Sequence, residues 1–118
     1  MKYYHAHIYF EANDLNQAYR LFETTKTMNF FTKVKFHEKP VGPHPTGMVE
    51  LHFTESCYAS VESWVKTNCG TLIAMIHQDT GDDLKDHTEH IHWLDKKLPL
   101  DFSFFELIKT RPDLRINP

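Results

Sequence analysis

A chain of 118 residues with 41% hydrophobic and 25% charged residues has the make-up of one globular domain with a single core. Its net charge of -3 offers no cationic footprint for nucleic acid or an anionic membrane surface, and no apolar run approaches the roughly 20 residues that span a bilayer. Nine histidines are the compositional excess that needs an account, since imidazole is neither a favoured core group nor a common surface choice.

The N-terminus lacks a basic segment followed by an apolar one, so no signal peptide is expected. Residues 3–10 alternate with the period of a strand. Tyr4, Ala6, Ile8 and Phe10 point one way, into a core; Tyr3, His5, His7 and Tyr9 point the other. That places two imidazoles on one surface about 6.8 Å apart, near enough to reach one metal ion. Asn13 and Asp14 supply a helix cap, and Leu15, Ala18, Tyr19, Phe22 and Thr25 recur at helical spacing, predicting a helix over about residues 14–28. Residues 33–38 alternate again with a charged face, as an edge strand does.

Residues 39–47 are dense in proline and glycine, so no regular element runs through them and His44 sits on a stiff support. Residues 48–53 predict a third strand with Val49, Leu51 and Phe53 inward and Glu50 and His52 opposite. Thr54 caps a second helix striped by Cys57, Val61, Trp64, Val65 and Asn68 and stopped at Gly70. Twelve helical residues would hold Cys57 and Cys69 about 18 Å apart, beyond disulfide reach. Two reduced thiols suit a cytoplasmic protein. Residues 71–76 are an apolar run that predicts a buried strand ending at His77. After a turn, a third helix is expected over about residues 83–96, with Leu84, Ile91, Leu94 and Leu98 on its apolar stripe and His87 in the middle of it. Residues 98–105 suit a short strand or an extended cover, and residues 106–118 a polar tail.

The order is β-α-β-β-α-β plus a helix: an α+β, ferredoxin-like βαββαβ sandwich with an additional C-terminal helix, forming one domain over residues 1–118. Its expected sheet order is 4-1-3-2, with strands one and three parallel and strands two and four antiparallel to them. On that topology the start of strand one, the end of strand two, the following loop and the end of strand four share one edge. His5, His7, His37, His44 and His77 then converge there, with His87 facing the same place. His52, His90 and His92 are expected elsewhere. A strand-borne His-x-His with a third imidazole can hold Zn²⁺ or Fe²⁺. Glu38, Asp79, Asp82 and Asp83 lie within reach of the same edge, so three histidines, or two with a carboxylate, both fit.

Three segments carry a resemblance: residues 4–10, YHAHIYF; residues 36–45, FHEKPVGPHP; and residues 76–88, IHQDTGDDLKDHT. Together they resemble the DOPA 4,5-dioxygenase family, small aromatic-ring-opening dioxygenases of fungi and bacteria, over roughly residues 3–101. The resemblance implies a ferredoxin-like fold, a homodimer, and extradiol cleavage of a catechol by Fe²⁺ and O₂, with Zn²⁺ or another divalent metal as an alternative occupant. His5, His7, His37, His44, His77 and His87 match the family's histidines. Gln78 departs from it, standing where the family often has proline. Within the resemblance, His5, His7 and His77 are assigned as metal ligands and His44 as the acid–base group supported by His87. Tyr3, Tyr9 and His37 are assigned to contact substrate. Two rivals remain: a Zn²⁺ hydrolase or lyase on the same cluster, and a non-catalytic dimeric ligand-binding module with Tyr3, Tyr9 and Glu50 on an open sheet face.

Overall fold

The structure, a computed structural model, describes residues 1–94 and 96–100. Expectations for residues 101–118, including the polar tail, lie outside the described residues. Strand β1 spans Tyr3–Phe10, helix α1 Leu15–Thr25, β2 Lys33–His37, β3 Gly47–Thr54, α2 Tyr58–Asn68, β4 Ile73–Asp79, α3 Asp83–Asp86 and β5 Ile91–Trp93. The strands form one sheet in the order β2-β3-β1-β4-β5. Its first four strands have the expected ferredoxin-like order, and β5 extends the β4 edge.

Every neighbouring pair is antiparallel, β1 with β3 included, so the expectation of parallel central strands is wrong. Each helix crossover leads from one strand to a parallel one two places away, and the strand between runs against both. The end of β2 therefore lies opposite the start of β1, and the convergence of histidines needs another explanation, given below.

The period-2 reading of β1 holds on both faces. Ala6, Ile8 and Phe10 pack with Val49, Leu51, Phe53, Ala74 and Ile76 beneath the helices, where Ala18, Leu21, Phe22, Val61 and Val65 close the core. Tyr19 was expected on the buried stripe of α1 but is 51% exposed, and Leu21 takes that place. Both long helices open through a 3₁₀ turn, Ala12–Asp14 and Glu55–Cys57, and neither Asp14 nor Thr54 makes a capping hydrogen bond. Gly70 ends α2 at φ +58°, a left-handed conformation that glycine adopts without strain.

The third helix begins at Asp83 as expected, with Asp82 accepting from the Lys85 amide, but closes after one turn. Thr80 ties that turn down, donating from its backbone N–H and its hydroxyl to the buried Asp86 carboxylate at 2.8 and 2.6 Å. Ile91 and Trp93, expected within or beside a helix, instead pair with His77 and Met75. Gln78 supports that edge, since its N–H donates to the His90 carbonyl at 3.1 Å, a bond proline could not make.

Candidate metal centre

Register lays out the second face of the sheet as a grid. In one row His5 stands between His52 on β3 and His77 on β4; in the next His7 stands between Glu50 and Met75; in the third Tyr9 stands between Met48 and Ile73. Two-residue periodicity points all nine side chains to the same side. This face is closed, not open: Tyr9, Met48 and Met75 are buried, with Val41, Ile73, Ile91, Trp93 and Leu98 packed around them. Tyr9 is 2% exposed and Glu50 0%, so neither is available for the dimer surface expected of an open face.

His44 and His87 arrive from above this grid. The loop between β2 and β3 carries His44 over β1, where its Nδ1 lies 2.7 Å from the Tyr9 hydroxyl. The single turn of α3 delivers His87, whose Nδ1 donates to the Asp83 carbonyl at 2.7 Å. His5, His7, His44, His77 and His87 are all buried. The imidazoles thus converge on the face of the sheet rather than at an edge, because strand neighbours supply three and covering segments supply two. His37 stays at the margin: it lies in the Tyr9 row, four residues along from His5, about 13 Å on strand spacing. Its Nε2 donates to Glu50 Oε1 at 3.1 Å. Tyr3 is 53% exposed at the strand's start. His90 and His92 are exposed, and His92 pairs with Glu62 at 3.2 Å, away from the cluster.

His52 corrects the sequence reading: it stacks on His5 with ring centroids 3.8 Å apart and donates from Nε2 to Glu50 Oε2. Glu50 is a buried carboxylate of this face that the sequence reading set with Tyr3 and Tyr9 on a dimer surface and not among the candidate ligands. The signal was there, since Glu50 and His52 share the outward parity of their strand, but the pairing of Glu50 with His7 depends on the direction of β3.

The electrostatics follow from burial. His7 and His77 are held well below the ordinary imidazole pKa, first by desolvation and then by neighbouring imidazoles, His44 foremost for His7 and His87 for His77. His44 is pushed down to about 3 for the same first reason, with His87 next, and His87 is lowered by burial against the pull of Asp83. All four are neutral at physiological pH. Desolvation alone would raise Glu50, but the His37 and His52 hydrogen bonds outweigh it and keep the carboxylate ionised. Tyr9 is raised by burial and stays a phenol. Asp79 is lowered chiefly by its bond to His5, 3.4 Å from His5 Nε2.

These residues fit a divalent metal. His77 Nδ1 donates to the Gln78 carbonyl at 3.0 Å, and His87 Nδ1 does the same to Asp83, which leaves the lone pair of each ring on Nε2. A second partner that fixes the tautomer in this way is the usual arrangement behind a metal-bound histidine. His7 Nε2 and His77 Nε2 lie 3.0 Å apart, close to the spacing of adjacent ligands on bonds of about 2.1 Å. His5 Nδ1 and His44 Nε2 are buried with no hydrogen-bond partner among the described residues, which costs about 1–3 kcal/mol for each polar atom left so. Donor atoms of His5, His7 and His77 lie within 4.8 Å of one another, as do those of His7, His44 and His87 and those of His5, Glu50 and His52.

A sequence model of the Dopa 4,5-dioxygenase family matches residues 4–104. The chain is similar to the DOPA 4,5-dioxygenase of Amanita muscaria, 29% identical over 112 residues, covering 87% of this chain and 49% of that protein. It is also similar to an uncharacterized 21.2 kDa protein of Botryotinia fuckeliana, 35% identical over 85 residues, 65% of this chain and 46% of the other. The chain spans about half the length of the curated relatives it matches. A crystal structure of a candidate dioxygenase from Nostoc punctiforme is 31% identical with a TM-score of 0.80, covering 92% of this chain and 94% of that one.

Proposed function

The chain belongs to the Dopa 4,5-dioxygenase family, and on that premise we propose that it is an extradiol dioxygenase opening a DOPA-like catechol with O₂ at a histidine-held non-haem iron. The observation that carries this reading is the buried group His5, His7 and His77, whose donor atoms lie within 4.8 Å of one another on adjacent strands. These three would hold Fe²⁺, which when bound supplies open positions for a catechol's two oxygens and for O₂ and passes electrons between them. The reaction balances without an outside reductant: one ring C–C bond beside the diol and the O–O bond break, and both oxygen atoms end in the product, as an aldehyde and a carboxylate.

The chain's own residues orient the ring and manage its protons. His44 is the acid–base group. For its Nε2 to accept a proton from the catechol, Nδ1–H must donate to the Tyr9 oxygen 2.7 Å away. An anionic ring oxygen arriving beside it offsets the burial that holds its pKa near 3. His87, with its ring centroid 5.5 Å from that of His44, supports it from α3. Tyr9 touches the substrate beside His44, whereas Tyr3 and His37 stand six residues apart along the strands at opposite ends of the face, too far apart for one catechol to contact both. A homodimer in the cytoplasm is the proposed setting, supported by the family resemblance.

The test is oxygen uptake by anaerobically iron-loaded protein on adding a catechol, with a yellow ring-opened product. Uptake and colour together are expected; neither, at full iron occupancy, overturns the reading. An all-nitrogen triad is also the donor set of hydrolytic zinc. Turnover with Zn²⁺ and no oxygen consumption would move the protein to that class.

A further inference from the structure

Beside the all-imidazole triad the face holds a group of different donor character, and we propose that His5, Glu50 and His52 form a second divalent-cation site, selective for oxygen-preferring ions of the Mn²⁺ class. The three residues lie on two adjacent strands, His5 directly opposite His52 and Glu50 two residues away on the same side of β3. Their donor atoms fall within 4.8 Å of one another. Glu50 is wholly buried. An ionised carboxylate at such depth is costly unless paired, and among the described residues its two oxygens are held by imidazole N–H groups of His37 and His52 and, at 4.0 Å, by the Lys35 ammonium. His5 Nδ1 is the independent observation: 3% exposed as a residue, it has no hydrogen-bond partner among the described residues.

A cation here replaces the His52 N–H···Glu50 hydrogen bond. His52 stays neutral by carrying its proton on Nδ1 and turns the Nε2 lone pair to the ion. His37 keeps its bond to Oε1 and orients the carboxylate. Lys35, 29% exposed, opposes the incoming charge and has solvent to retreat to. Two imidazoles and a carboxylate suit Mn²⁺ better than three imidazoles do, whereas both sets accept Fe²⁺ and three imidazoles suit Zn²⁺.

The two sites are mutually exclusive. His5 Nε2 faces Asp79 at 3.4 Å, so the ring has one lone pair to give, on Nδ1, and it serves one cation at a time. A Mn²⁺-class ion at Glu50 therefore withdraws a ligand from the neighbouring triad, and the face discriminates between metals by where it holds them. This concerns cation binding alone and does not rest on catechol turnover.

The test is an electron paramagnetic resonance titration of metal-free, tag-free protein with Mn²⁺, with Zn²⁺ binding followed by calorimetry in parallel. The wild type should bind Mn²⁺ once. Glu50→Gln should weaken Mn²⁺ at least tenfold and leave Zn²⁺ binding; His77→Ala should do the reverse; and Zn²⁺ loading should exclude Mn²⁺. Circular dichroism checks each variant's fold, and His52→Gln, expected to lose Mn²⁺ similarly, replaces Glu50→Gln if that chain does not fold. No Mn²⁺ binding by the wild type, or an equal loss in His77→Ala and Glu50→Gln, overturns the second site. Zn²⁺ bound without Mn²⁺ would sink the second site and leave the triad; binding of neither would remove both.

Discussion

The two faces of this sheet are buried to the same degree and held by opposite means. Under the helices, Ala6, Ile8, Leu51 and Ile76 exclude water by apolar contact alone. On the other side His7, His77 and Glu50 are as deeply buried, yet all three lose hydration there, and the imidazoles repel one another when charged. The histidine face thus offers donor groups that could hold a metal ion, whereas the apolar face supplies stability. The two should respond differently to substitution, to ligand and to pH.

The sharpest contrast is between faces. Leu51→Ala should cost about 2–5 kcal/mol in denaturant unfolding while the folded fraction still binds metal. His77→Ala should abolish binding at the triad with little loss of stability in the metal-free state, because it removes a polar group whose burial is unfavourable. If both variants lose stability equally and keep metal, the division between the faces fails. Within the histidine face, His44→Ala should lower kcat by about 10²–10⁴-fold with metal retained; loss of the metal as well would make His44 a ligand rather than the acid–base group.

Stability against pH separates the faces without any mutation. His7, His77, His44, His87 and His52 all have folded pKa values below the ordinary 6.5. Below that value the unfolded chain binds protons that the folded chain refuses. Stability from this face is therefore complete above pH 6.5 and falls as pH drops, down to about 3 for His44. In denaturant titrations of metal-free protein, His44 alone should remove about 1.4 kcal/mol on going from pH 7.5 to 5.5, and the other four should act in the same direction. A flat profile would mean the imidazoles are not buried neutral. The smallest effect is that of Tyr9→Phe, which deletes one hydrogen bond to His44. A kcat decrease of about tenfold is expected; an unchanged kcat would mean that the Tyr9 hydroxyl does not orient His44.

The same division marks what could be read from the sequence. Alternation along residues 3–10 assigned every side chain of β1 to its face, and the turn before Asp83 and the stop at Gly70 were legible from local chemistry. The convergence of His5, His7, His44, His77 and His87 was expected, but for a reason that does not hold. Relative strand direction belongs to the crossovers rather than to any one segment, so taking β1 and β3 as parallel hid the pairings of His7 with Glu50 and of His5 with His52. It also set His37 with His5, though the antiparallel sheet keeps them apart. The third helix was overextended because Leu84, His87, Ile91 and Leu94 satisfy a helical period while the chain turns and pairs with β4; Leu84 is 42% exposed in consequence.

That the buried imidazoles of His5, His7 and His77 hold the metal is tested most directly by X-ray absorption on tag-free protein loaded anaerobically with Fe²⁺. Scattering from three imidazole rings, lost in part in His77→Ala, is the predicted result. An oxygen-only shell, or a spectrum unchanged by that substitution, would contradict it.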